Sequence, residues 1–324
     1  MNALSLFRRA ASGLGLGRLR RRLAGPRTAA AVWGERAGEN GGGPARHWTE
    51  LPIVRAEINR RVSGDPAVDP YGHFLRTHLA GRLPVARALT VGCGAGELER
   101  GLAALGFTRH HDAFDVAPRA VELAAARAEA AGFRHVRYRA ADADALVLPE
   151  RAYDVVLGVH SIHHVARLEH LLGEVARALK PDGFLFLDEF VGPTRFQWTD
   201  RQLEVVNGLL RCLPETLRAA YPDGRPKHRV SRPSVAEVVA TDPSEAVRSA
   251  EILGVVSSLF EVVEVRPYGG TVLQLLLDDI AAAFIAAEGA ADGLLAALCA
   301  LEWALVSSGE LPSDFAVVVA RPRG

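Results

Sequence analysis

The sequence predicts an α/β protein built on a doubly wound, seven-stranded, mostly parallel sheet, and three observations support this prediction. From residue 86 onward, short apolar segments alternate with amphipathic segments. Such alternation indicates parallel strands covered by helices on both faces. A glycine-rich turn lies directly between the first strand and the next helix. The 324 residues, 49% of them hydrophobic and 23% charged, are enough for a large buried core.

Each element of the predicted sheet follows from a local pattern. Short apolar or alternating runs, which are typical of strands, occupy residues 88–91, 111–115, 135–139, 153–159, 184–190, 261–265 and 315–320. Amphipathic runs, which are typical of helices, occupy residues 97–105, 118–131 and 168–179. Two apolar helices are predicted before the last strand, over residues 272–287 and 293–306.

Further helices are predicted on either side of the fifth strand. Residues 48–61 and 71–79 have helical periodicity and form an N-terminal helical cover. After residue 190, Thr199 with Gln202 and Ser234 with Glu237 have the spacing of capping boxes. A third helix is expected to begin at Asp242, so a helical insertion follows strand five. We expect this insertion to form a lid over the acceptor, with Trp198 and Arg248 as candidate lining residues, and a solvated surface position is the alternative for each. The predicted segments are a tail with linker, the cover, the core, the insertion and the rest of the core: residues 1–45, 46–82, 83–192, 193–250 and 251–324.

The N-terminal tail is basic. Its first 34 residues contain seven arginines and no acid, and a glycine-rich linker follows at residues 38–43. This composition predicts a disordered tail. Weak adsorption to an anionic membrane surface and an organelle transit peptide stay open as alternatives. No apolar run has the length of a membrane span, so no integral membrane segment is expected.

Charge and cysteine content exclude several classes of partner. Basic and acidic residues number 38 each, and the basic tail lacks the aromatic residues that stack on bases. Nucleic acid is therefore not an expected partner. Cys93, Cys212 and Cys299 are too widely spaced to predict a disulfide framework or a zinc site. We expect no metal and a reducing, cytoplasmic location.

The glycine-rich turn carries the main functional signal. Gly92, Gly94 and Gly96 alternate between a strand and a helix, where a loop without side chains lets a ligand approach the backbone. A dinucleotide fingerprint would place a glycine where Glu97 stands, and a carboxylate at a helix N-terminus repels a pyrophosphate. S-adenosylmethionine (SAM) has no phosphate and carries two cationic groups. The turn therefore favours SAM over a nicotinamide cofactor.

Acidic residues after the next two strands fit the same ligand. Asp115 ends the second strand, 23 positions after Gly92, where an acid can accept hydrogen bonds from ribose hydroxyls. Asp142 and Ala143 follow the third strand and are candidates to meet the adenine amino group. For each acid, a solvated position in a turn is the alternative interpretation.

These motifs together resemble the class I SAM-dependent methyltransferases. The matching segments, in order, are residues 92–96, 114–116, 141–143, 153–156 and 179–184. The resemblance covers about residues 83–192 specifically, and it implies SAM as the cofactor. The family often has Asp two residues before the first glycine, where this chain has Thr90. The predicted cofactor-binding residues are Gly92, Gly94, Gly96, Asp115, Val116, Asp142, Ala143 and Val159.

Candidate catalytic residues follow the fourth and fifth strands. Methyl transfer to a hydroxyl needs alignment of the acceptor and removal of its proton. His160 and Glu189 are the predicted bases. His160 is the first choice, because an imidazole accepts a proton at neutral pH, whereas a carboxylate needs burial to become basic enough. His163 and His164 are expected to have packing roles.

The sequence therefore predicts a SAM-dependent methyltransferase that acts on a small-molecule or glycan acceptor, with oxygen favoured as the methylated atom. Two alternatives stay open. One is a SAM-binding module or partner scaffold without methyl transfer, and the other is an NAD-dependent oxidoreductase, which Glu97 disfavours. The identity of the acceptor and the oligomeric state are not predicted.

Overall fold

The structure contains the predicted sheet, with its strands in the order β3-β2-β1-β4-β5-β7-β6. This computed structural model describes residues 28–37 and 47–323. Strands β1 to β5 run parallel, and β7 is antiparallel to both of its neighbours. The strands are Val85–Val91 (β1), Thr108–Asp115 (β2), Val136–Ala140 (β3), Tyr153–Val159 (β4), Leu179–Phe190 (β5), Phe260–Gly269 (β6) and Phe315–Pro322 (β7). The predicted fold class is confirmed.

Helices cover both faces of the sheet. They are Ala29–Ala37 (α1), Pro52–Ser63 (α2), Pro70–His78 (α3), Glu97–Ala104 (α4), Pro118–Ala130 (α5), Leu168–Ala178 (α6), Asp200–Cys212 (α7), Val235–Thr241 (α8), Ile252–Leu259 (α9), Leu273–Leu277 (α10), Ala281–Ala286 (α11) and Asp292–Ser307 (α12). Phe184 and Phe186 of β5 pack in a cluster with residues of α2, α3, α4, α7 and α12. Leu185 and Leu187 pack in a second cluster with α6 and α9. Alternate strand residues face opposite sides, so burial of both faces explains the unbroken apolar run.

Helix α2 of the N-terminal cover is attached to the C-terminal part of the core. The Arg61 guanidinium donates to the backbone oxygen of Tyr268 (2.7 Å) and pairs with Glu302 (3.0 Å). The other oxygen of Glu302 accepts from the backbone amides of Val272 and Leu273. This buried ion pair therefore joins α2 to β6, to the segment before α10, and to α12.

The insertion after β5 is helical, as predicted. Both capping boxes are confirmed: Thr199 caps α7 with Gln202, and Ser234 caps α8 with Glu237. The predicted helix start at Asp242 is wrong, because Asp242 ends α8 and a turn follows it. The helix predicted over residues 272–287 is two short helices, α10 and α11.

The prediction of a disordered tail through residue 45 is wrong for residues 29–37, which form α1. Val32 is buried, and the Trp33 ring lies 4.9 Å from the His164 ring in an edge-on arrangement. The Arg36 guanidinium is 3.6 Å from the Asp242 carboxylate. The first 27 residues and the glycine-rich linker at 38–43 lie outside the described residues. Within the described ranges, every helix is too short or too polar to cross a membrane.

Candidate active site

The glycine turn after β1 is shaped by packing on two sides and is open at its centre. Gly92, Gly94 and Gly96 have φ of 70°, 49° and 74°, a region that favours glycine. A side-chain carbon at Gly92 would lie 2.4 Å from Ser161 Cβ, and one at Gly96 would lie 2.7 Å from Tyr138 Oη. One at Gly94 would meet no described atom within 4 Å. Gly92 and Gly96 therefore allow close packing, and Gly94 leaves its backbone accessible to a ligand.

Asp115 joins the end of β2 to this turn. One carboxylate oxygen accepts from the backbone amide of Gly94 at 2.8 Å, and the other accepts from that of Ala117 at 2.9 Å. Burial raises the pKa of Asp115, and these amides oppose the shift. Each carboxylate oxygen can accept more than one hydrogen bond. The predicted contact with ribose is compatible with this arrangement and stays a prediction.

The other predicted cofactor residues lie at the same edge of the sheet. Val116 follows β2, and Val159 is the buried last residue of β4. Asp142 is exposed after β3, and its side chain accepts from the amide of Asp144 at 2.9 Å. Ala143 begins the short helix that follows. The carboxyl ends of β1 to β4 thus bring all eight predicted residues to one edge, where open α/β sheets bind ligands.

His160 directly follows β4 at this edge. Its backbone has a positive φ of 47° and its amide donates to the carbonyl of Asp188 at 2.9 Å. The imidazole lies 5.9 Å from the ring of Phe315. Its Nδ1 atom is buried and has no hydrogen-bond partner among the described residues. No hydrogen bond within the described ranges therefore fixes the ring through Nδ1.

The structure argues against Glu189 as a base. The side chain is fully buried, and one oxygen accepts from the amides of Ser161 (2.5 Å) and Ile162 (2.6 Å). The other pairs with Nδ1 of His163 at 2.7 Å. Burial opposes ionisation of Glu189, but His163 and the amides outweigh it and lower its pKa. Glu189 is thus a weakly basic group that positions the loop after β4.

Two further polar residues, Asp188 and Tyr268, lie beside His160. Asp188 is two residues before the end of β5, and the hydroxyl of Tyr268 donates to its carboxylate at 2.7 Å. Burial raises the pKa of Asp188, and the charges of His160 and Arg55 oppose that shift. The two residues are 80 positions apart in the sequence, so no local sequence pattern predicts that they form a pair.

His47 is a further unpredicted group near the site. Its Nδ1 lies 2.7 Å from the Thr49 hydroxyl, and its Nε2 is buried without a partner in the described part of the chain. Burial lowers the pKa of His47 to about 3, and His160 and Arg55 add to the shift. His47 is therefore neutral at pH 7.

The residues expected to line the acceptor from the insertion are engaged elsewhere. Arg248 pairs with Glu169 at 2.6 Å and with Glu251 at 2.5 Å. Trp198 is buried and stacks on Phe196 with ring centroids 5.3 Å apart. Neither side chain is available to an acceptor in this arrangement.

Two groups of side chains in the described ranges have the spacing of metal ligands: His73 with His78 and Glu264, and His163 with His164 and Glu245. Glu264 already pairs with both of its histidines and with Arg266. His163 is paired with Glu189. Ion pairing accounts for these contacts, and the expectation that no metal is bound stays a prediction.

Comparison with known proteins identifies the fold family. Residues 89–187, from β1 to β5, match the family model of a methyltransferase domain. These residues therefore form a methyltransferase domain, and the sheet around them has the fold of the class I SAM-dependent methyltransferases. SAM is the cofactor of this family.

Two curated methyltransferases illustrate the similarity. The 27-O-demethylrifamycin SV methyltransferase of Amycolatopsis mediterranei is 34% identical over 128 residues, which are 36% of this chain and 44% of that protein. The ubiquinone biosynthesis O-methyltransferase of Brucella anthropi is 33% identical over 140 residues, 43% of this chain and 50% of that protein. The chain thus spans half the length of these relatives or less. A methyltransferase structure from Mesorhizobium loti is 17% identical, covering 76% of this chain and 97% of that one, with a TM-score of 0.43.

The residues of this methyltransferase domain fit SAM. The turn at Gly94 leaves room for a ligand beside its backbone. The buried carboxylates nearby, such as Asp115, suit a ligand with hydroxyl and cationic groups. Glu97 at the start of α4 disfavours a pyrophosphate at the same place.

Proposed function

We propose that this protein transfers a methyl group from SAM to a hydroxyl of a small-molecule or glycan acceptor. The observation that carries the proposal is the open turn at Gly94 combined with Asp115, whose carboxylate binds the Gly94 amide. Gly92, Gly96, Val116, Asp142, Ala143 and Val159 complete the proposed cofactor site. When bound there, SAM supplies a methyl group activated by positive sulfur.

In this proposal His160 accepts the proton of the acceptor hydroxyl. It stands beside Asp188 and Phe315 at the edge of the sheet that carries the glycine turn, and its Nδ1 has no competing partner in the described chain. Phe315, Tyr268 and Trp48 pack as a buried aromatic cluster on this side, with ring centroids 5.5–5.6 Å apart, and support the end of the sheet at which His160 stands. The names of the two relatives given above, both of which specify oxygen, also favour O-methylation.

Binding measurements test the cofactor assignment. We expect calorimetry to detect binding of SAM and not of NAD, because Glu97 opposes a pyrophosphate. Incubation with labelled SAM and host extracts should then yield a labelled product, which identifies the acceptor. Tight NAD binding contradicts the proposal. SAM binding without any labelled product supports the alternative of a binding module or partner scaffold.

His160→Asn tests the base. Asparagine tolerates positive φ, so this change removes the imidazole with little backbone strain. With the identified acceptor, we expect unchanged SAM affinity and a single-turnover rate about 10²–10⁴-fold lower. His110→Asn, at an exposed position of β2, is the matched control. A wild-type rate for His160→Asn would show that His160 is not the base.

A further inference from the structure

Glu99 is a buried carboxylate with which no cationic side chain of the described ranges pairs. It is the third residue of α4 and is 0% exposed; neither oxygen makes a hydrogen bond of normal geometry within the described ranges, and its polar neighbours there are Thr90 and a backbone amide. The buried carboxylates of Glu189 and Glu302, in contrast, are paired with His163 and Arg61. A buried carboxylate is costly unless it is paired. The exception therefore indicates a partner that binds from outside the chain.

The start of α4 places Glu99 three residues after Gly96, the last glycine of the turn, and the electrostatic effects on its neighbours agree with that position. After burial, Glu99 is the largest influence that raises the pKa of Cys93, which lies between Gly92 and Gly94. It also raises the pKa of Tyr138, whose hydroxyl faces Gly96. A weaker effect of the same sign reaches Tyr71 of α3. Glu99 thus lies at the inner side of the proposed cofactor site, toward the N-terminal cover.

Thr90 occupies the position where the family often has an aspartate. It is buried in β1, two residues before Gly92, and its hydroxyl lies 2.9 Å from Nε2 of His111. It lowers the pKa of Glu99, so the two side chains are close. β1 therefore lacks the acidic residue, and Glu99 in the first turn of α4 places a carboxylate beside the same position.

We propose that Glu99 binds the ammonium group of the methionine part of SAM and takes the place of the missing strand acid. This inference rests on the proposed function. Arg100, the nearest cation along the chain, donates to the backbone oxygen of Ala95 at 2.7 Å and does not pair with Glu99. A ligand ammonium would supply the charge-assisted hydrogen bonds that the buried carboxylate lacks.

Proton release on binding gives a readout that is independent of catalysis. Burial raises the pKa of Glu99 to about 7, against opposing effects of a backbone amide, Thr90 and Arg100. The charged or titratable groups around it are Arg100, Asp115, Cys93, Tyr138 and Tyr71. An ammonium next to Glu99 favours the ionised form. Binding at pH 6.5 should therefore release protons, and Glu99→Gln should reduce the number released.

Measuring two ligands with both the wild type and Glu99→Gln isolates the contact between Glu99 and the ligand ammonium. The ligands are S-adenosylhomocysteine and 5′-S-(3-carboxypropyl)-5′-thioadenosine, which differ only in the ammonium group. For the wild type, we expect calorimetry to show about 10- to 100-fold weaker binding of the second ligand. For Glu99→Gln, we expect a difference of less than about threefold, because the variant has lost the partner of that group.

Controls separate this contact from general damage. Methylthioadenosine, which lacks the whole amino-acid part, should bind Glu99→Gln and the wild type equally and thereby report an intact site. Glu122→Gln, an exposed change on α5, should behave as the wild type. Equal ligand discrimination by Glu99→Gln and the wild type overturns the inference, as does no discrimination by either. Failure of the wild type to bind S-adenosylhomocysteine overturns the proposed function as well.

Discussion

At the scale of single residues, the pair of His163 and Glu189 fixes the loop that carries His160. The Glu189 carboxylate accepts two backbone amides of this loop and one imidazole nitrogen, all inside the core. Breaking a buried ion pair from one side leaves an uncompensated charge. The contact therefore matters for the shape of the loop, independently of any part that Glu189 takes in proton transfer.

Glu189→Gln should lower the free energy of unfolding by about 3–5 kcal/mol at pH 7. Denaturation by urea measures this change. Asp200→Asn is the matched control, because it breaks a pair with Arg232 in which Asp200 is 98% exposed, and it should cost about 1 kcal/mol or less. Equal losses in the two variants would contradict a stabilising role for the buried pair.

The same pair predicts how stability changes with pH. Burial opposes the charge of His163, but Glu189 and Glu245 outweigh burial and raise its pKa to about 10. A raised histidine pKa stabilises the fold fully below the unfolded value, near 6.5, and this contribution is lost as pH rises through about 10. The stability difference between the wild type and Glu189→Gln should therefore shrink between pH 7 and pH 10. A constant difference over that interval would contradict the pairing.

At the scale of elements, α1 contributes to the core although it lies in the basic N-terminal region. It buries Val32, and its Trp33 and Arg36 contact His164 and Asp242 of two separate loops. Helix α1 thus holds the turn after α8 close to the loop after β4. This contact brings an N-terminal element near the candidate active site.

Two truncations test this role. Deleting residues 1–27 should leave the melting temperature unchanged, whereas deleting residues 1–37 should lower it by at least about 3 °C, because the burial of Val32 and the packing of α1 against α5 are lost. Differential scanning calorimetry measures both. Trp33→Ala in the full chain should lower the melting temperature by less than the deletion of residues 1–37 does. Identical melting temperatures for the two truncations would show that α1 does not stabilise the core.

Local patterns predicted most elements, and distant contacts explain the failures. The capping boxes at Thr199 and Ser234 were predictable because all their partners lie within four residues. Asp242 has the same kind of pattern, but a long-range contact with Arg36 and the short bond to Ser244 hold it in a turn. In the candidate active site, the glycine turn and Asp115 could be predicted because they lie within one short stretch of the sequence, residues 92–115. The pairs of Asp188 with Tyr268 and of Glu99 with its surroundings arise only when separate elements pack.

At the scale of the whole molecule, the proposed cofactor site lies between the sheet edge and the N-terminal cover. The charge of Glu99 contributes to the raised pKa of Tyr71 of α3. The charge of Arg55 of α2 opposes the rise in the pKa of Asp188 near the end of β5. Arg61 and Glu302 in turn tie α2 to the C-terminal helices. A ligand in this site should therefore stabilise the cover together with the core.

Hydrogen exchange tests this coupling. At a concentration of 100 times its Kd, S-adenosylhomocysteine should stabilise the fold by about 2.7 kcal/mol. Amide exchange should slow in residues 92–97 and also in residues 52–78 of the cover. Residues 316–319 of β7, buried in the sheet centre, should already exchange slowly without ligand. Protection confined to residues 92–97 would show that the cover is not coupled to the site.

The position of β7 also has a consequence for biosynthesis. In the described sheet, β6 pairs with β7. β7 lies between β5 and β6 and runs antiparallel to both. A ribosome completes β5 and β6 well before it reaches residue 315, so both strands first emerge with open edges. Open edges invite pairing with other chains. The nascent protein therefore passes through an interval in which chaperone binding would protect it from aggregation, and that interval ends when residues 315–322 leave the exit tunnel.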